Sequence, residues 1–441
     1  MTATRARLVS FDGTESFDSE LWTPVDQSAL AACLGAAGPA IPRGAGLSYC
    51  NASAGDGVRT VASSAFSTIG DVDEECRTIV VGSGVTLGAL LESIVPRGWY
   101  LPVMPGHPSI TIGGCAGFNV HGKSPADLGC FIEWIEALDL FHPDHGEIRC
   151  SRGENPELFK LTVGGFGLTG FITRITLRLR PLAGTAIRVR RTFVPDLVAA
   201  IDVMEERRAG SNTVYSWNDL NRRGSGFGAG IVYSENIVPG KEWHDRPYNV
   251  LTPQGRPWPG KGFYPRFAGR LMCALYLRLE RMKATDKIID LKRGAFPING
   301  KEIYFRLFGR TGLREYQMII PRTRWAETVP ILRRLLHDSG LPVTLGSLKL
   351  FDGAVEYLHF CASGVCLALD VPARSASRPL FGQLDDLVAD AGGIANLSKD
   401  SRIGADAVRR MFPGYDGFRT DLLAFDPNRR FDSALRRRLD V

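Results

Sequence analysis

Apolar and polar residues alternate most clearly in the run from residue 174 to residue 180. There Ile175, Leu177 and Leu179 fall on one side of an extended chain, while arginines and a threonine fall on the other. A period of two is the pattern of a half-buried β-strand, and Pro181 ends it. The run therefore predicts a strand with one face on a hydrophobic core.

Other apolar runs predict further elements. Helical spacing and end signals predict helices at residues 28–37, 87–95, 156–162, 267–281, 325–336, 376–391 and 433–439. Short apolar runs predict strands at residues 78–81, 134–141, 189–193, 213–217, 231–233, 344–351 and 365–371. Strands that mix with helices beyond residue 186 indicate a separate α+β unit.

The segment from residue 239 to residue 281 allows two interpretations. Its first part, up to residue 265, is rich in proline and glycine without periodicity, which predicts a long loop. In its second part Leu271, Leu275 and Leu279 recur at helical spacing among arginines. The helix either packs this apolar face on the core, with a solvated basic face, or lies on a membrane surface.

The length of the chain, 441 residues, exceeds what one hydrophobic core usually organises, so we expect two domains. No run of 18 or more apolar residues is present, which argues against a transmembrane helix. Basic residues near the N-terminus are not followed by an apolar segment. The sequence therefore predicts a cytoplasmic protein rather than a secreted one.

Cysteine count and net charge exclude several classes of protein. Nine cysteines without CxxC pairs disfavour a disulfide framework and a zinc site, so we expect no metal. A net charge of +6 is too mild for this length to indicate nucleic-acid binding, and we expect no such partner. The charge favours an anionic substrate or an anionic membrane surface.

Glycine-rich stretches are the main candidates for ligand binding. The run 105–123, PGHPSITIGGCAGFNVHGK, suits a backbone that passes close to a large flat ligand, because glycine lacks a Cβ. The run 42–52, PRGAGLSYCNA, places Arg43 beside glycines whose N–H groups can bind a diphosphate. Two such loops fit a dinucleotide, and a third glycine cluster follows at residues 164–170.

The familiar nucleotide-binding motifs do not occur in their usual structural setting in this sequence. Residues 117–124, GFNVHGKS, have the spacing GxxxxGK[ST], but no strand is predicted directly before them and no helix directly after them. No GxGxxG lies between a predicted strand and a predicted helix in the N-terminal region. The glycines at residues 224–228 lack a βαβ setting, which disfavours a Rossmann nicotinamide enzyme. The glycine loops therefore indicate a different dinucleotide fold.

Residues 42–49, 111–123 and 164–172 resemble the FAD-binding domain of the vanillyl-alcohol-oxidase-type flavoproteins. Within that family the chain is similar to the decaprenylphosphoryl-β-D-ribose 2′-oxidases of cell-envelope biosynthesis, and the resemblance covers nearly the whole chain. Further motifs that carry it are Glu315–Tyr316–Gln317, Lys349–Leu350–Phe351, Leu369–Asp370–Val371–Pro372 and Lys399–Asp400–Ser401–Arg402.

The resemblance implies an α+β fold of three parts. An FAD-binding domain of two subdomains is expected at residues 1–183. A substrate domain built on an antiparallel sheet is expected at residues 184–392. The C-terminal segment, residues 393–441, is expected to return to the FAD-binding domain.

The resemblance also implies which residues bind FAD. They are Pro42, Arg43, Gly44, Ala45, Gly46, Leu47, Ser48, Tyr49, Gly106, Thr111, Ile112, Gly113, Gly114, Phe118, Asn119, His121, Ile172 and Asn396. Many relatives have a histidine bonded to the flavin where this chain has Leu47, so FAD is expected to be non-covalent. A flavin–cysteine bond at Cys115 or Cys130 is the minor alternative.

The implied reaction oxidises a secondary alcohol: hydride passes to the flavin and the hydroxyl proton to a base. Lys399 matches an active-site lysine of the family, and either holds the substrate as a cation or acts as the base. The alternative is a surface lysine paired with Asp400. His121 and Tyr49 are the other catalytic candidates; the alternatives are a structural histidine and a core tyrosine.

Five residues are expected at the substrate. Gln317, Lys349 and Lys123 match positions that face a sugar phosphate in the family. Cys366 and Ala368 stand where the family has asparagine and cysteine, which predicts a smaller and less polar wall.

The resemblance implies that the 2′-hydroxyl of a polyprenyl-phosphate pentose is oxidised to a keto sugar, as half of an epimerisation. An NAD(P)H-dependent keto-sugar reductase is the expected partner. Peripheral association with the inner face of the plasma membrane is expected through residues 239–281. The alternatives are a sugar or alditol oxidase with a soluble polyol substrate, and a flavin-fold binding subunit without turnover.

Overall fold

The computed structural model describes residues 2–240, 248–251 and 262–441. The strands within these ranges are β1 (Thr2–Val9), β2 (Ser16–Thr23), β3 (Ala40–Arg43), β4 (Arg59–Ala62), β5 (Ile69–Asp73), β6 (Thr78–Gly82), β7 (Trp99–Tyr100), β8 (Ile135–His142), β9 (Gly146–Ser151), β10 (Phe171–Arg178), β11 (Arg180–Pro181), β12 (Ala186–Val194), β13 (Thr213–Asn218), β14 (Gly230–Val238), β15 (Asp286–Asp290), β16 (Leu313–Ile320), β17 (Leu345–Phe351), β18 (Gly364–Pro372) and β19 (Ile394–Ala395).

The helices within the same ranges are α1 (Gln27–Gly35), α2 (Leu87–Ile94), α3 (Ile112–Gly117), α4 (Pro125–Leu128), α5 (Pro156–Thr162), α6 (Leu197–Arg208), α7 (Arg266–Arg281), α8 (Leu291–Ala295), α9 (Ile303–Arg306), α10 (Arg322–Ser339), α11 (Ser377–Asp390), α12 (Ala405–Met411), α13 (Tyr415–Phe425) and α14 (Ala434–Leu439). Every helix and strand predicted above is present, with shifted ends. None of the described helices is long and apolar enough to cross a bilayer.

Two small sheets and the two-stranded pair β7–β11 lie within the first 181 residues. One is four-stranded, in the order β1-β2-β4-β3, and combines an antiparallel hairpin with parallel pairs. The other is five-stranded and antiparallel, in the order β5-β6-β10-β8-β9. The first glycine loop leaves β3, and the third enters β10, so both loops are anchored by strand ends.

Strand β10 confirms the alternation that the sequence predicts. Ile175 and Leu177 are fully buried, whereas Arg174 and Arg178 are exposed. The hairpin β1–β2 was not predicted, because most of β1 is exposed on both faces and therefore shows no apolar alternation.

An eight-stranded antiparallel sheet forms the second half of the chain, in the order β15-β12-β14-β13-β17-β18-β16-β19. Helices α6, α10 and α11 pack against it. Its register places Glu315 opposite Asp370, Gln317 opposite Ala368, and Lys349 opposite Cys366. Side chains two residues apart share a face of a sheet, so β16, β17 and β18 bring separate polar residues of the sequence onto one surface.

The C-terminal segment contacts both halves of the chain. Strand β19 pairs with β16 at the edge of the large sheet. Farther on, Phe431 bridges to Ala40, and the N–H of Ala434 donates to the carbonyl of Ala54 at 2.9 Å. The division of the chain at residues 183 and 392 stays a prediction.

Helix α7 is present, but its orientation corrects the core-packing interpretation. Leu271, Leu275 and Leu279 are 66%, 51% and 47% exposed, whereas Cys273 and Leu277 are buried. The buried side of the helix also contains Gly269, where a Cβ would lie 2.5 Å from Cβ of Pro342, so the helix approaches its neighbour closely there. The loop predicted before it lies largely outside the described residues, at 241–247 and 252–261.

Candidate active site

A cavity of about 1140 Å³ lies between the glycine loops and the large sheet. Pockets for drug-sized ligands are about 300–1,000 Å³. Residues 42–49, 104–107 and 117–123 line one wall, and residues of β13, β16, β17 and β18 line the opposite wall. The cavity is therefore large enough for a dinucleotide together with a substrate.

The glycines serve two purposes. A Cβ on Gly44 would lie 2.1 Å from Oγ1 of Thr111, and one on Gly113 would lie 2.8 Å from Cβ of Ser83. These glycines let two loops pack against their neighbours. Gly106 differs, because no atom lies within 4 Å of a Cβ built there and the residue lines the cavity. Of these three glycines, Gly106 matches the expectation of open space for a ligand.

Arg43 fits the diphosphate of a dinucleotide. Its guanidinium is buried and donates to Oγ of Ser53 at 2.8 Å. Within the described ranges no carboxylate pairs with it, and burial lowers its pKa to about 10. Oγ of Ser83, on the same cavity wall, is buried without a hydrogen-bond partner among the described residues. A buried cation and an unpaired hydroxyl suit a polar anion.

Almost all predicted cofactor residues line the cavity. They are Pro42, Arg43, Gly44, Ala45, Gly46, Leu47, Ser48, Tyr49, Gly106, Thr111, Gly113, Gly114, Phe118, Asn119, His121, Ile172 and Asn396. Ile112 does not, because it is fully buried in the core beside Cys115. Cys130 is also buried, with its thiol 3.8 Å from the carbonyl of Phe360. Neither cysteine lines the cavity, whereas Leu47 does.

The predicted catalytic and substrate residues also gather there. Those that line the cavity are Tyr49, His121, Lys123, Gln317, Lys349, Ala368 and Lys399. Cys366 lies behind them, and its sulfur is 3.4 Å from Nε2 of Gln317. The structure thus brings together residues from both ends of the chain, and their individual roles stay predictions.

A directional chain of hydrogen bonds fixes His121. Ser398 donates to Oδ1 of Asn396 at 2.7 Å, and Nδ2 of Asn396 donates to Oε1 of Gln317 at 2.6 Å. Nε2 of Gln317 then donates to Nε2 of His121 at 2.9 Å, and Nδ1 of His121 donates to the carbonyl of Gly122 at 2.9 Å. The ring therefore carries its proton on Nδ1.

Burial, and then the ammonium of Lys349, hold the pKa of His121 well below its usual range. Nζ of Lys349 lies 3.4 Å from Nδ1 of the ring, and burial lowers the pKa of Lys349 too. A neutral imidazole whose Nε2 already accepts a hydrogen bond is suited to positioning a substrate rather than to taking its proton.

Lys399 lies against an acid that sequence reasoning did not select. Its Nζ is 3.3 Å from Oε2 of Glu315 and 4.1 Å from the centre of the Tyr49 ring. Asp400 instead binds Arg402 at 2.7 Å, so the interpretation of Lys399 as a lysine paired with Asp400 is wrong. Burial, and then the Glu315 carboxylate, raise the pKa of Tyr49, which is therefore a neutral phenol.

Asp370 is a second acid that was missed. Its Oδ2 accepts from the hydroxyl of Tyr304 at 2.7 Å, while Oδ1 is buried without a partner among the described residues. Burial, and then the carboxylate of Glu315, raise the pKa of Asp370 well above its usual range. Burial and Glu315 thus favour the protonated form of this carboxyl in the cavity wall. Spacing within β16 and β18 indicates which residues share a face, but only the register places Asp370 opposite Glu315.

The positive charge of Lys123 is also paired with a carboxylate. Its Nζ is 2.8 Å from Oε2 of Glu235 and lies 4.7 Å from the centre of the Tyr215 ring. Glu235 was not predicted either. The positive charge expected for a sugar phosphate is thus already paired at this position.

Comparisons with known proteins agree with this geometry. The family described as "FAD binding domain" matches residues 22–151. Decaprenylphosphoryl-β-D-ribose oxidase of Mycolicibacterium smegmatis is 27% identical over 417 residues, covering 91% of this chain and 89% of the relative. An "uncharacterized protein in mprA 5′ region" of Streptomyces coelicolor is 31% identical over 380 residues, covering 81% of this chain and all of the relative. Alditol oxidase of a Streptomyces species is 31% identical over 162 residues, 37% of each chain. The cofactor is FAD.

Replacing Arg43 tests its fit to the diphosphate. Arg43→Gln should weaken FAD binding about tenfold to hundredfold, because a hydrogen bond to a charged group contributes about 1.5–3 kcal/mol. The dissociation constant of FAD is measured by flavin fluorescence on apoprotein and variant. Arg97→Gln, at an exposed arginine paired with Asp71, is the control and should bind FAD normally. Unchanged FAD affinity of Arg43→Gln would contradict the assignment.

The substitution Asp370→Asn should make the free energy of unfolding of the protein less dependent on pH. Asp370 stays protonated in the folded protein above the pKa of an unfolded aspartate, so wild-type stability falls as pH rises above about 4. Asparagine cannot ionise, so the free energy of unfolding should shift in favour of the variant between pH 5 and pH 8. One group contributes at most about 1.4 kcal/mol per pH unit.

Urea unfolding of the FAD-loaded proteins at three pH values measures this difference. Asp416→Asn, at a mostly exposed aspartate on α13, is the control and should follow the wild type at every pH. A constant difference between Asp370→Asn and wild type would show that Asp370 ionises normally.

Proposed function

The chain belongs to the FAD-dependent oxidoreductases of the vanillyl-alcohol-oxidase type, and we propose that it oxidises the 2′-hydroxyl of a polyprenyl-phosphate pentose to a ketone. The observation that carries this proposal is the convergence of Lys399, Tyr49, His121 and Gln317 on one part of the cavity, where the glycine loops approach the large sheet. The similarity to an oxidase of that name extends over 91% of the chain and supports the choice of substrate.

Bound FAD supplies the acceptor for the hydride that leaves the carbinol carbon. The protein has to hold the hydroxyl and accept its proton. Lys399 donates to the hydroxyl oxygen, and the carboxylate of Glu315, 3.3 Å from its ammonium, takes the proton. Hydride and proton together account for the two electrons and two hydrogens that leave the alcohol.

His121 and Gln317 orient the sugar. The hydrogen bonds from Asn396 to Gln317 and on to His121 leave little freedom to either side chain. Ala368, beside Gln317 on the neighbouring strand, makes that part of the wall small and apolar. This wall sets which pentose fits.

The same proposal assigns a role to each of the larger sheets. The two small sheets of the first 180 residues correspond to the two subdomains that hold FAD, and the eight-stranded sheet is the substrate domain. A ketone has to be reduced to complete an epimerisation, so an NAD(P)H-dependent reductase acts next.

We place the protein at the inner face of the plasma membrane, in peripheral contact. Helix α7 presents exposed leucines together with Arg270, Arg278 and Arg281, all of them exposed. Apolar and cationic side chains on one exposed helix suit an anionic lipid surface. A lipid-linked substrate would then stay near its own membrane.

A soluble polyol is the alternative substrate, favoured by the similarity of 37% of the chain to an alditol oxidase. Peroxide release with simple alditols in air, without reduction by the lipid-linked pentose, would establish it. A flavin that no sugar reduces, in protein that still binds the lipid, would indicate a binding subunit.

Lys399→Ala tests the catalytic proposal. The variant should keep its yellow FAD, because the side chain of Lys399 is 29% exposed and its removal leaves the glycine loops unchanged. Anaerobic addition of a polyprenyl-phospho-ribose should bleach the flavin of the wild type but reduce that of the variant at least 10²-fold more slowly. Lys160→Ala, at a partly exposed lysine of α5 that does not line the cavity, is the control. Reduction of the variant at the wild-type rate would refute the role.

Changing Leu271, Leu275 and Leu279 together to serine tests the membrane contact. Sedimentation with vesicles of phosphatidylcholine and phosphatidylglycerol should fall at least tenfold, because the apolar area that enters the lipid is lost. Leu423→Ser, at a leucine of α13 that is 46% exposed, is the control. Unchanged sedimentation of the triple variant would place the contact elsewhere.

A further inference from the structure

Four cations line a part of the cavity that the reaction proposed above does not use. They are Lys283, Lys287, Arg293 and Lys301. They come from the turn after α7, from β15, from α8 and from the loop that precedes α9. None of them was selected from the sequence, because they are spread over nineteen residues without a motif.

The positive charge of this cluster is poorly compensated. Nζ of Lys283 contacts Glu280, but that carboxylate also binds Arg191, whose Nη1 is 2.5 Å from Oε2. One carboxylate thus serves two cations. The side chains of Lys287, Arg293 and Lys301 have no hydrogen-bond or ion-pair partner within the part of the chain that the structure describes.

The neighbouring carboxylates are engaged elsewhere. Asp290 accepts from the backbone N–H of Arg293 at 3.0 Å and so caps α8. Asp286 lies 3.8 Å from Arg188 and from Arg190. Glu302 accepts from the backbone N–H of Gly300 at 2.9 Å. These acids therefore do not neutralise the cluster.

The cations are close enough to repel one another. Burial, and then the charge of Arg293, lower the pKa of Lys301. Burial, and then the charge of Arg191, lower the pKa of Lys287. These four side chains are exposed, so water weakens their mutual repulsion, and an anion that binds among them reduces it further.

We infer that Lys283, Lys287, Arg293 and Lys301 form a binding site for a phosphate that carries an apolar chain. This inference rests on the proposed function and names the part of the protein that recognises the phosphate of its substrate. Arg43 and Ser83, on the glycine-loop wall, are left for the diphosphate of FAD. The two anions of the holoenzyme complex thus have separate sites.

The surroundings of the cluster fit the rest of such a ligand. Met272 and Tyr276, on the side of α7 that borders the cavity, are each 38% exposed. A chain attached to the phosphate can follow these side chains toward the exposed leucines of α7. On the other side of the phosphate the cavity continues to His121 and Lys399, where a sugar would lie.

The test is a binding measurement on the FAD-loaded protein, with farnesyl phosphate and farnesol as probes. Both probes carry the same apolar chain and only one carries the phosphate. Titration calorimetry at low salt should show farnesyl phosphate binding at least tenfold more tightly than farnesol. Salt should reduce this preference, because it screens the cluster. Equal affinity of the two probes for the wild type would overturn the inference.

The decisive variant changes Lys287, Arg293 and Lys301 together to glutamine. It should bind both probes with equal affinity. The control changes Arg5, Arg306 and Arg310 to glutamine; these arginines are exposed and do not line the cavity, and the loss of charge is the same. A triple variant that keeps the preference for the phosphate would also overturn the inference. Lys301→Gln alone, expected to lower the preference about threefold or more, replaces the triple variant if that protein loses its flavin.

Competition with inorganic phosphate distinguishes a lipid phosphate from free phosphate as the ligand of the site. If it competes with farnesyl phosphate only at millimolar concentration, the apolar chain contributes and the ligand is a lipid phosphate. If it competes with equal affinity, the site binds free phosphate, and the assignment to a lipid-linked ligand fails. Because these measurements need no turnover, a preference for farnesyl phosphate in a protein that does not oxidise a polyprenyl-phospho-pentose would reject the proposed reaction and leave the phosphate site intact.

Discussion

The interior of the cavity depends on the pairing of buried charges. A charge that leaves water without a partner is costly, so each ionised group in the wall needs a neighbour of opposite sign or must lose its charge. Lys399 faces Glu315 at 3.3 Å, Lys123 faces Glu235 at 2.8 Å, and burial raises the pKa of the Asp370 carboxyl. These pairs reduce the net charge of the sheet wall, whereas Arg43, Lys287, Arg293 and Lys301 have no ion-pair partner among the described residues.

The antiparallel register creates this pairing. Glu315 and Asp370 lie directly across from one another on β16 and β18, where two ionised carboxylates would repel. Ionisation of Asp370 is therefore disfavoured, and Glu315 pairs with Lys399, a residue of the C-terminal segment. The large sheet and the last fifty residues are thus joined by an ion pair as well as by the edge pairing of β19 with β16.

Much of the fold could be predicted from local patterns, whereas the site could be predicted only in part. The alternation around Ile175 and the glycine runs are local signals, and both identify their structures correctly. The apolar spacing in α7 was read with the wrong orientation, because the helix has two stripes and periodicity does not tell which one meets the sheet. The resemblance identified Lys399 and His121 as site residues. The places of Glu315, Asp370 and the cations of residues 283–301 in the cavity follow from contacts between distant segments, which neither composition nor spacing contains.

The hydrogen bonds that run from Ser398 to Gly122 have a further consequence for dynamics. Each link has a donor and an acceptor that cannot be exchanged singly: moving the ring proton of His121 from one nitrogen to the other would require Gln317 and Asn396 to turn over as well. The chain therefore behaves as one cooperative unit with a fixed polarity. Thermal motion should leave the imidazole in one tautomer, so the enzyme meets successive substrates with the same arrangement of donors and acceptors.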